Sequence, residues 1–207
     1  MSRLVRGHAD IWVVPLDELR DDLLPAPTAD DAARAARFVN DTLRRRYLRS
    51  HGALRAVLAR YTAEPLAFAA AEHGKPYLPA VPELRFNLSH SHERALVGVT
   101  VGAEIGVDVE RFRPMSDCEA VAQRFFPPSE AAAFAAIPPA DRERDFFRRW
   151  TRIEAVLKAR GVGLYGVGDE LAGEWSIEEM DAGAGYAAAV AVAGAGVRVT
   201  IRNFEGD

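Results

Sequence analysis

A single cysteine, Cys118, leaves this chain of 207 residues without a partner for an internal disulfide or a second thiolate for a zinc site. It reads as a small, partly buried side chain. Long apolar runs are missing as well. The longest, Tyr186 to Val197, is too short and too interrupted by glycine to cross a bilayer, and the stretch from Met1 to Asp10 has no apolar targeting segment. Positive charge is not in excess: 26 Lys and Arg stand against 30 Asp and Glu, a net charge of −4, which argues against general affinity for nucleic acid. Nor does a glycine elbow surround Ser89, which removes the serine-hydrolase reading of that residue. What remains is a chain with 49% apolar residues, enough for one large core or two smaller ones in contact. A cytoplasmic enzyme or binding protein without membrane contact is expected.

The richest stretch runs from Trp150 to Leu164. At 3.6 residues per turn, Phe146, Trp150, Ile153 and Leu157 form one apolar stripe, and Glu154 and Lys158 stack one turn apart beside it. An exposed ion pair would explain that pair of charges equally well. In Ile105-Gly-Val-Asp-Val-Glu110, alternation buries Ile105, Val107 and Val109 and sends Asp108 and Glu110 to the other face of a strand. Acids two residues apart on a strand are separated by about 7 Å, a gap two carboxylates can span around one hard divalent cation. Gly106, on the same face, is expected to leave room for a bulky ligand. Arg44, Arg45, Arg46 and Arg49 bunch in one helical segment and form either an anion site or a solvated face. Ser89, His90 and Ser91 end a strand with groups able to bond a phosphate.

The order of elements is read as follows. A strand over Asp10 to Leu16 precedes a proline-rich linker, a helix capped by Thr28 or Asp30, and a longer helix capped at Asn40 or Asp41 that runs to about Tyr61. Strands are predicted over Leu66 to Ala69, Leu84 to Leu88 and Ala95 to Val101, with a glycine and proline loop at His73 to Pro79. After Ala103 the order begins again: a strand at Ile105 to Glu110, helices at 117–125, 129–136 and 141–160, then strands at 174–178, 186–193 and 197–203. The expected fold is α+β in two pseudo-symmetric lobes, 1–103 and 104–207, each strand, helices, then three strands, with the ligand cleft between them.

Four segments, in order, resemble the Sfp-type 4'-phosphopantetheinyl transferases. They are His73-Gly-Lys-Pro-Tyr-Leu-Pro79, Phe86-Asn-Leu-Ser-His-Ser91, Ile105-Gly-Val-Asp-Val-Glu110 and Phe147-Arg-Arg-Trp-Thr-Arg-Ile-Glu-Ala-Val-Leu-Lys-Ala-Arg-Gly-Val-Gly-Leu164. The resemblance implies a two-lobed, monomeric enzyme that moves the 4'-phosphopantetheine group from coenzyme A to a serine of an apo acyl or peptidyl carrier protein, releasing 3',5'-ADP. It further implies Mg2+ held by Asp108, Glu110 and Glu154, with Lys158 on the pyrophosphate. Lys75 would meet the adenosine end, Ser89 and His90 the 3'-phosphate, and Arg34 and Arg46 match basic positions of the family's first helices. Asp108, Glu154 and Lys158 would carry the catalysis, the serine proton leaving to Glu154 or to a water on the metal. One position departs from the pattern: Ile153 stands where the family commonly has lysine, and its place on the apolar stripe points to packing. The rival readings are a magnesium-dependent nucleotide phosphohydrolase and a non-catalytic module that binds coenzyme A or a carrier.

Overall fold

The computed structural model describes residues 4–162 and 173–204; Gly163 and Leu164, the end of the last motif, lie outside them. Local chemistry starts each of the first two helices. Thr28 and Asp31 form a capping box ahead of α1, Ala29–Ala35. The Asn40 side chain accepts from the amides of Thr42 and Leu43 to open α2, Asp41–Leu58. After α3, Cys118–Phe125, and α4, Pro128–Ala135, comes the longest helix, α5, Arg142–Arg160. It stops at Gly161, whose φ of 72° places it in the left-handed region that glycine adopts without strain.

Two sheets pack face to face. The first has the order β4-β5-β1-β9, built from β1, His8–Pro15, β4, Leu84–Ser91, β5, Arg94–Val101, and β9, Arg198–Asn203. The second has the order β6-β8-β7, from β6, Ile105–Arg111, β7, Trp175–Glu179, and β8, Tyr186–Ala193. A two-residue pairing of β2, Ala69–Ala70, with β3, Pro76–Tyr77, crosses the loop between α2 and β4. The outer face of the first sheet buries Trp12, Val14, Phe86 and Val97 against Leu54, Val57 and Leu58 of α2. Its inner face sets Ile11 and Leu96 against Ile105, Val107, Val190 and Val192 of the second sheet. Contact there is close: a Cβ at Gly98 would lie 2.7 Å from Val107 Cγ1. On the far side, Ala155 and Val156 of α5 meet Ala189 and Ala191, and an aromatic cluster of Phe126, Phe134, Phe146 and Phe147 joins α3, α4 and α5. Burial of these alternating faces supplies the main driving force for the arrangement.

The mixed α+β architecture agrees with the sequence reading, and most strands and helices lie within a residue or two of their predicted spans. The strand predicted over Leu66 to Ala69 departs most, because only Ala69 and Ala70 pair, while β4 runs on past Leu88 to Ser91 and α2 stops at Leu58, short of Tyr61. Strand order runs alike in the two sheets, β4-β5-β1 in one and β7-β8-β6 in the other, all antiparallel. One strand crosses the expected boundary between residues 103 and 104. β9 comes from the second half of the chain yet pairs in parallel with β1 of the first.

Candidate active site at the junction of the two sheets

Where β4 passes beside β6, side chains take the place of a backbone ladder. Asn87 Oδ1 accepts from the Val107 amide at 2.9 Å, Ser89 Oγ from Val109 at 3.4 Å and Ser91 Oγ from Arg111 at 3.2 Å. Every second residue of β4 thus serves every second amide of β6, which fixes the register of the two sheets. The serines also donate onward. Ser89 donates to Asp108 Oδ1 at 2.9 Å and Ser91 to Glu110 Oε2 at 3.2 Å.

Asp108 sits at the centre. It is 3% exposed, Lys158 donates to its Oδ1 at 2.5 Å, and its Oδ2 is buried with no hydrogen-bond partner. Lys158 also donates to Ser89 Oγ at 3.0 Å. Burial raises the Asp108 pKa, with Glu110 adding to the rise and Lys158 opposing it. Glu154, one turn before Lys158 on α5, is partly buried, and its pKa is raised by burial first and by the Asp108 and Glu110 charges as well. Glu110 pairs with Arg113 at 2.9 Å. The three carboxylates therefore feel one another. Among the described residues, however, no group of three or more acidic, histidine or cysteine side chains is drawn in closely enough to cage an ion as they stand. The ammonium of Lys158 balances Asp108 instead.

Gly106 corrects one expectation. A Cβ there would lie 2.0 Å from the Ala155 carbonyl oxygen and 2.4 Å from the Ala159 nitrogen, so the space is filled by the backbone of α5 and no ligand enters it. The glycine brings α5 close enough for Lys158 to reach Asp108. Ile153 is 7% exposed within the aromatic cluster, in keeping with packing at that position.

Strand alternation divides Ser89 from His90. Ser89 faces β6, with its hydroxyl engaged by Asp108, Lys158 and Val109, while His90 opens on the other face into a cavity of about 590 Å³ that Arg34, His51 and Arg55 also line. His90 belongs to β4, which continues to Ser91. Surrounding protein lowers its pKa, and His51 and Lys158 push the same way. Sequence reasoning missed His51 and Arg55; their spacing of four on the α2 face that carries Tyr47 was the available signal.

Lys75 and Arg46 are both committed to protein partners. The Lys75 ammonium donates to Glu104 at 2.6 Å, to the Ile105 carbonyl at 3.1 Å and to the Ala159 carbonyl, tying the 73–79 loop to β6 and the end of α5, and burial lowers its pKa. It borders a second cavity of about 260 Å³ with Tyr77, Arg85, Phe86 and Arg160. Arg46 pairs with both oxygens of Asp17 through Nε and Nη2 and lies 3.7 Å from Glu93, away from the His90 cavity. Arg44 bonds Asp41 within α2 and the Phe38 carbonyl ahead of it, and Arg49 bonds Asp21 and the Leu16 carbonyl, so these arginines brace the segments that precede α2.

Comparison with known proteins places this architecture in a class. The family model of the 4'-phosphopantetheinyl transferase superfamily matches residues 104–194, the stretch that holds β6, α5 and β8. The chain is 37% identical to the 4'-phosphopantetheinyl transferase HetI of Nostoc sp., over 93% of this chain and 91% of the relative. It is 32% identical to a 4'-phosphopantetheinyl transferase of Bacillus subtilis over 70% of this chain and 64% of that one, and 31% identical to the psf-1 transferase of Bacillus pumilus over 76% and 70%. This chain belongs to the 4'-phosphopantetheinyl transferases.

Proposed function

We propose that this enzyme transfers the 4'-phosphopantetheine group of coenzyme A to a serine hydroxyl of an apo acyl or peptidyl carrier protein, with release of 3',5'-ADP and dependence on Mg2+. The observation that carries the metal-dependent reading is Asp108 Oδ2, an unpartnered carboxylate oxygen in a buried site. Such an oxygen is costly unless a cation meets it. The raised proton affinity of Asp108 and Glu154 is the same unmet demand for positive charge. The donor set therefore fits a hard cation, and Asp108, Glu110 and Glu154 would hold it. When bound, the metal would neutralise charge on the pyrophosphate of coenzyme A.

The remaining work falls to the chain's own side chains. Lys158, held between Ser89 and Asp108, is placed to follow the pyrophosphate as negative charge builds on the leaving oxygen. Ser89 aligns Asp108 and Lys158. The carrier serine oxygen forms a bond to the β-phosphorus while the bond from that phosphorus to the bridging oxygen breaks, and 3',5'-ADP leaves. The serine proton goes to a base, for which Glu154 is the side chain at hand where the cation leaves one of its oxygens free. His90 and Arg34 line the cavity suited to the 3'-phosphate, and Lys75, committed to Glu104, shapes the wall at the adenosine end. The nucleophile belongs to the carrier, so no activated serine or cysteine is required of this chain.

We further propose two pseudo-symmetric lobes, 1–103 and 104–207, supported by the matching strand orders, with β9 as a clasp between them, and a cytoplasmic monomer as the working form. Among the described residues no helix is long and apolar enough to cross a membrane. The deciding experiment incubates the protein with coenzyme A, Mg2+ and an apo carrier. Intact mass should show one phosphopantetheine group added to the carrier, lost on chelation and restored by Mg2+. Hydrolysis of coenzyme A with no mass added to the carrier would refute the proposal.

A further inference from the structure

We propose that His51 is a second imidazole of the anion cavity and binds the 3'-phosphate of coenzyme A together with His90. The inference rests on the transferase reading above and goes beyond it, because none of the four ordered motifs contains this residue.

The argument begins with a tautomer. His51 Nδ1 lies 3.0 Å from the carbonyl oxygen of Tyr47, one turn back on α2, and a carbonyl can only accept. Nδ1 therefore carries the proton. The Tyr47 ring, tilted by 35° against the imidazole with centroids 4.1 Å apart, holds the orientation. Nε2 has no hydrogen-bond partner among the described residues and belongs to a ring that lines the 590 Å³ cavity. In the neutral ring Nε2 is a bare acceptor, which repels a phosphate dianion. It becomes a donor only by taking up a proton.

The groups around it make an anion the natural source of that proton affinity. From α1 come Arg34 and the carboxylates of Asp30 and Asp31, and Asp31 is already engaged by Thr28 and Arg55. From α2 come Tyr47 and Arg55, and from β4 comes His90, with the Lys158 charge acting on His90 from behind the strand. Arg55 is 9% exposed and pairs with Asp31 through Nη1, while its Nε and Nη2 are buried without a partner, so two charged donors stand unused behind the cavity wall. In the free protein burial lowers the pKa of His51, Arg55 and Arg34 push the same way, and burial together with His51 lowers that of His90. A phosphate monoester reverses both effects: each ring that protonates gains a charge-assisted hydrogen bond. Binding thus takes up protons at pH values where the free rings are neutral. Affinity then falls as pH rises, by up to about tenfold per pH unit for each ring that participates.

The test is equilibrium binding of coenzyme A and of 3'-dephospho-coenzyme A to the full chain, by calorimetry, between about pH 6.5 and 8, where the phosphate is largely a dianion. His51→Gln offers an amide N–H near the Nε2 position without any titration, and His51→Asn keeps a donor for the Tyr47 carbonyl while removing Nε2. The Gln variant should bind coenzyme A with a shallower pH dependence, by up to one tenfold step per pH unit. The Asn variant should bind it about 10- to 100-fold more weakly, and both should bind the dephospho compound as the wild type does. Unchanged pH dependence in the Gln variant, or equal loss toward both ligands in the Asn variant, would overturn the role of His51. Transfer to an apo carrier, measured separately, fails only if the underlying transferase reading is wrong.

Discussion

Replacing Gly106 by alanine would set a Cβ 2.0 Å from the Ala155 carbonyl oxygen, 2.4 Å from the Ala159 nitrogen and 3.0 Å from the Lys158 carbonyl carbon. All three are backbone atoms of α5, so no side-chain rotation relieves the overlap. To restore even the tightest tolerable separation, the helix must retreat from β6 by about 1 Å. Overpacking of this kind costs about 1–3 kcal/mol, and a rigid helix as the obstacle favours the upper end. For a chain of this length, about 3 kcal/mol lowers Tm by roughly 6–12 °C. The same retreat withdraws Glu154 and Lys158 from Asp108. A misplacement of about 1 Å at the reacting groups costs about 100-fold in rate. Thermal and urea unfolding would give the stability change, and intact-mass kinetics on an apo carrier the rate. Coenzyme A affinity should fall as well, because Glu154 and Lys158 face the pyrophosphate in the proposed complex and Lys75 bonds the Ala159 carbonyl of the same helix. Wild-type Tm and wild-type turnover in the alanine variant would show that α5 does not sit on β6 as described.

Four further outcomes follow from the same geometry. Asp108→Asn keeps the shape and the Ser89 contact but loses the charge, so transfer should fall at least about 100-fold while the chain still unfolds cooperatively, as read by urea unfolding beside the mass assay. Lys158→Ala should lower kcat by about 100- to 1000-fold with a smaller effect on the KM for coenzyme A; unchanged kinetics would remove it from the transition state. Ile153→Lys puts an ammonium into the aromatic cluster and should cost about 1–3 kcal/mol with no gain in rate, a result checked by the same two assays. Burial and Glu93 push Tyr186 up to about 12, and burial with Asp10 pushes Tyr61 upward as well. The folded values lie above the unfolded value of about 10, so the unfolded chain loses these protons first. Their stabilisation is complete below pH 10 and is lost as pH climbs through the folded values. Ultraviolet titration should show both ionising late, and Tyr61→Phe should flatten the alkaline loss of stability.

Periodicity made much of this legible in advance. The 3.6-residue stripe of Phe146, Ile153 and Leu157 and the alternation of Ile105, Val107 and Val109 are local patterns, and each fell on a buried face. Asp108, Glu154 and Lys158 carried signals of residue type and spacing that survive without coordinates. Ser89 and His90 did not separate on the page, because adjacency in sequence resembles cooperation until the pleat sends neighbours to opposite faces. The partners of Lys75 and Arg46, and the place of Arg55, were not legible for a related reason: the group that satisfies a long cationic side chain stands tens of residues away.

The amino-acid order alone determined which faces must be buried, where the helices begin and end, and which acids and cations stand on β6 and α5, since these follow from interactions within a few residues. Which of those charges meet was decided by the approach of one sheet and one helix to another. Gly106 admits α5, Ser89 bridges β4 to β6, and Lys158 then reaches Asp108 across a gap of 50 residues. Close packing of backbones fixes distances that no local pattern encodes, and electrostatic pairing in a buried site depends steeply on those distances.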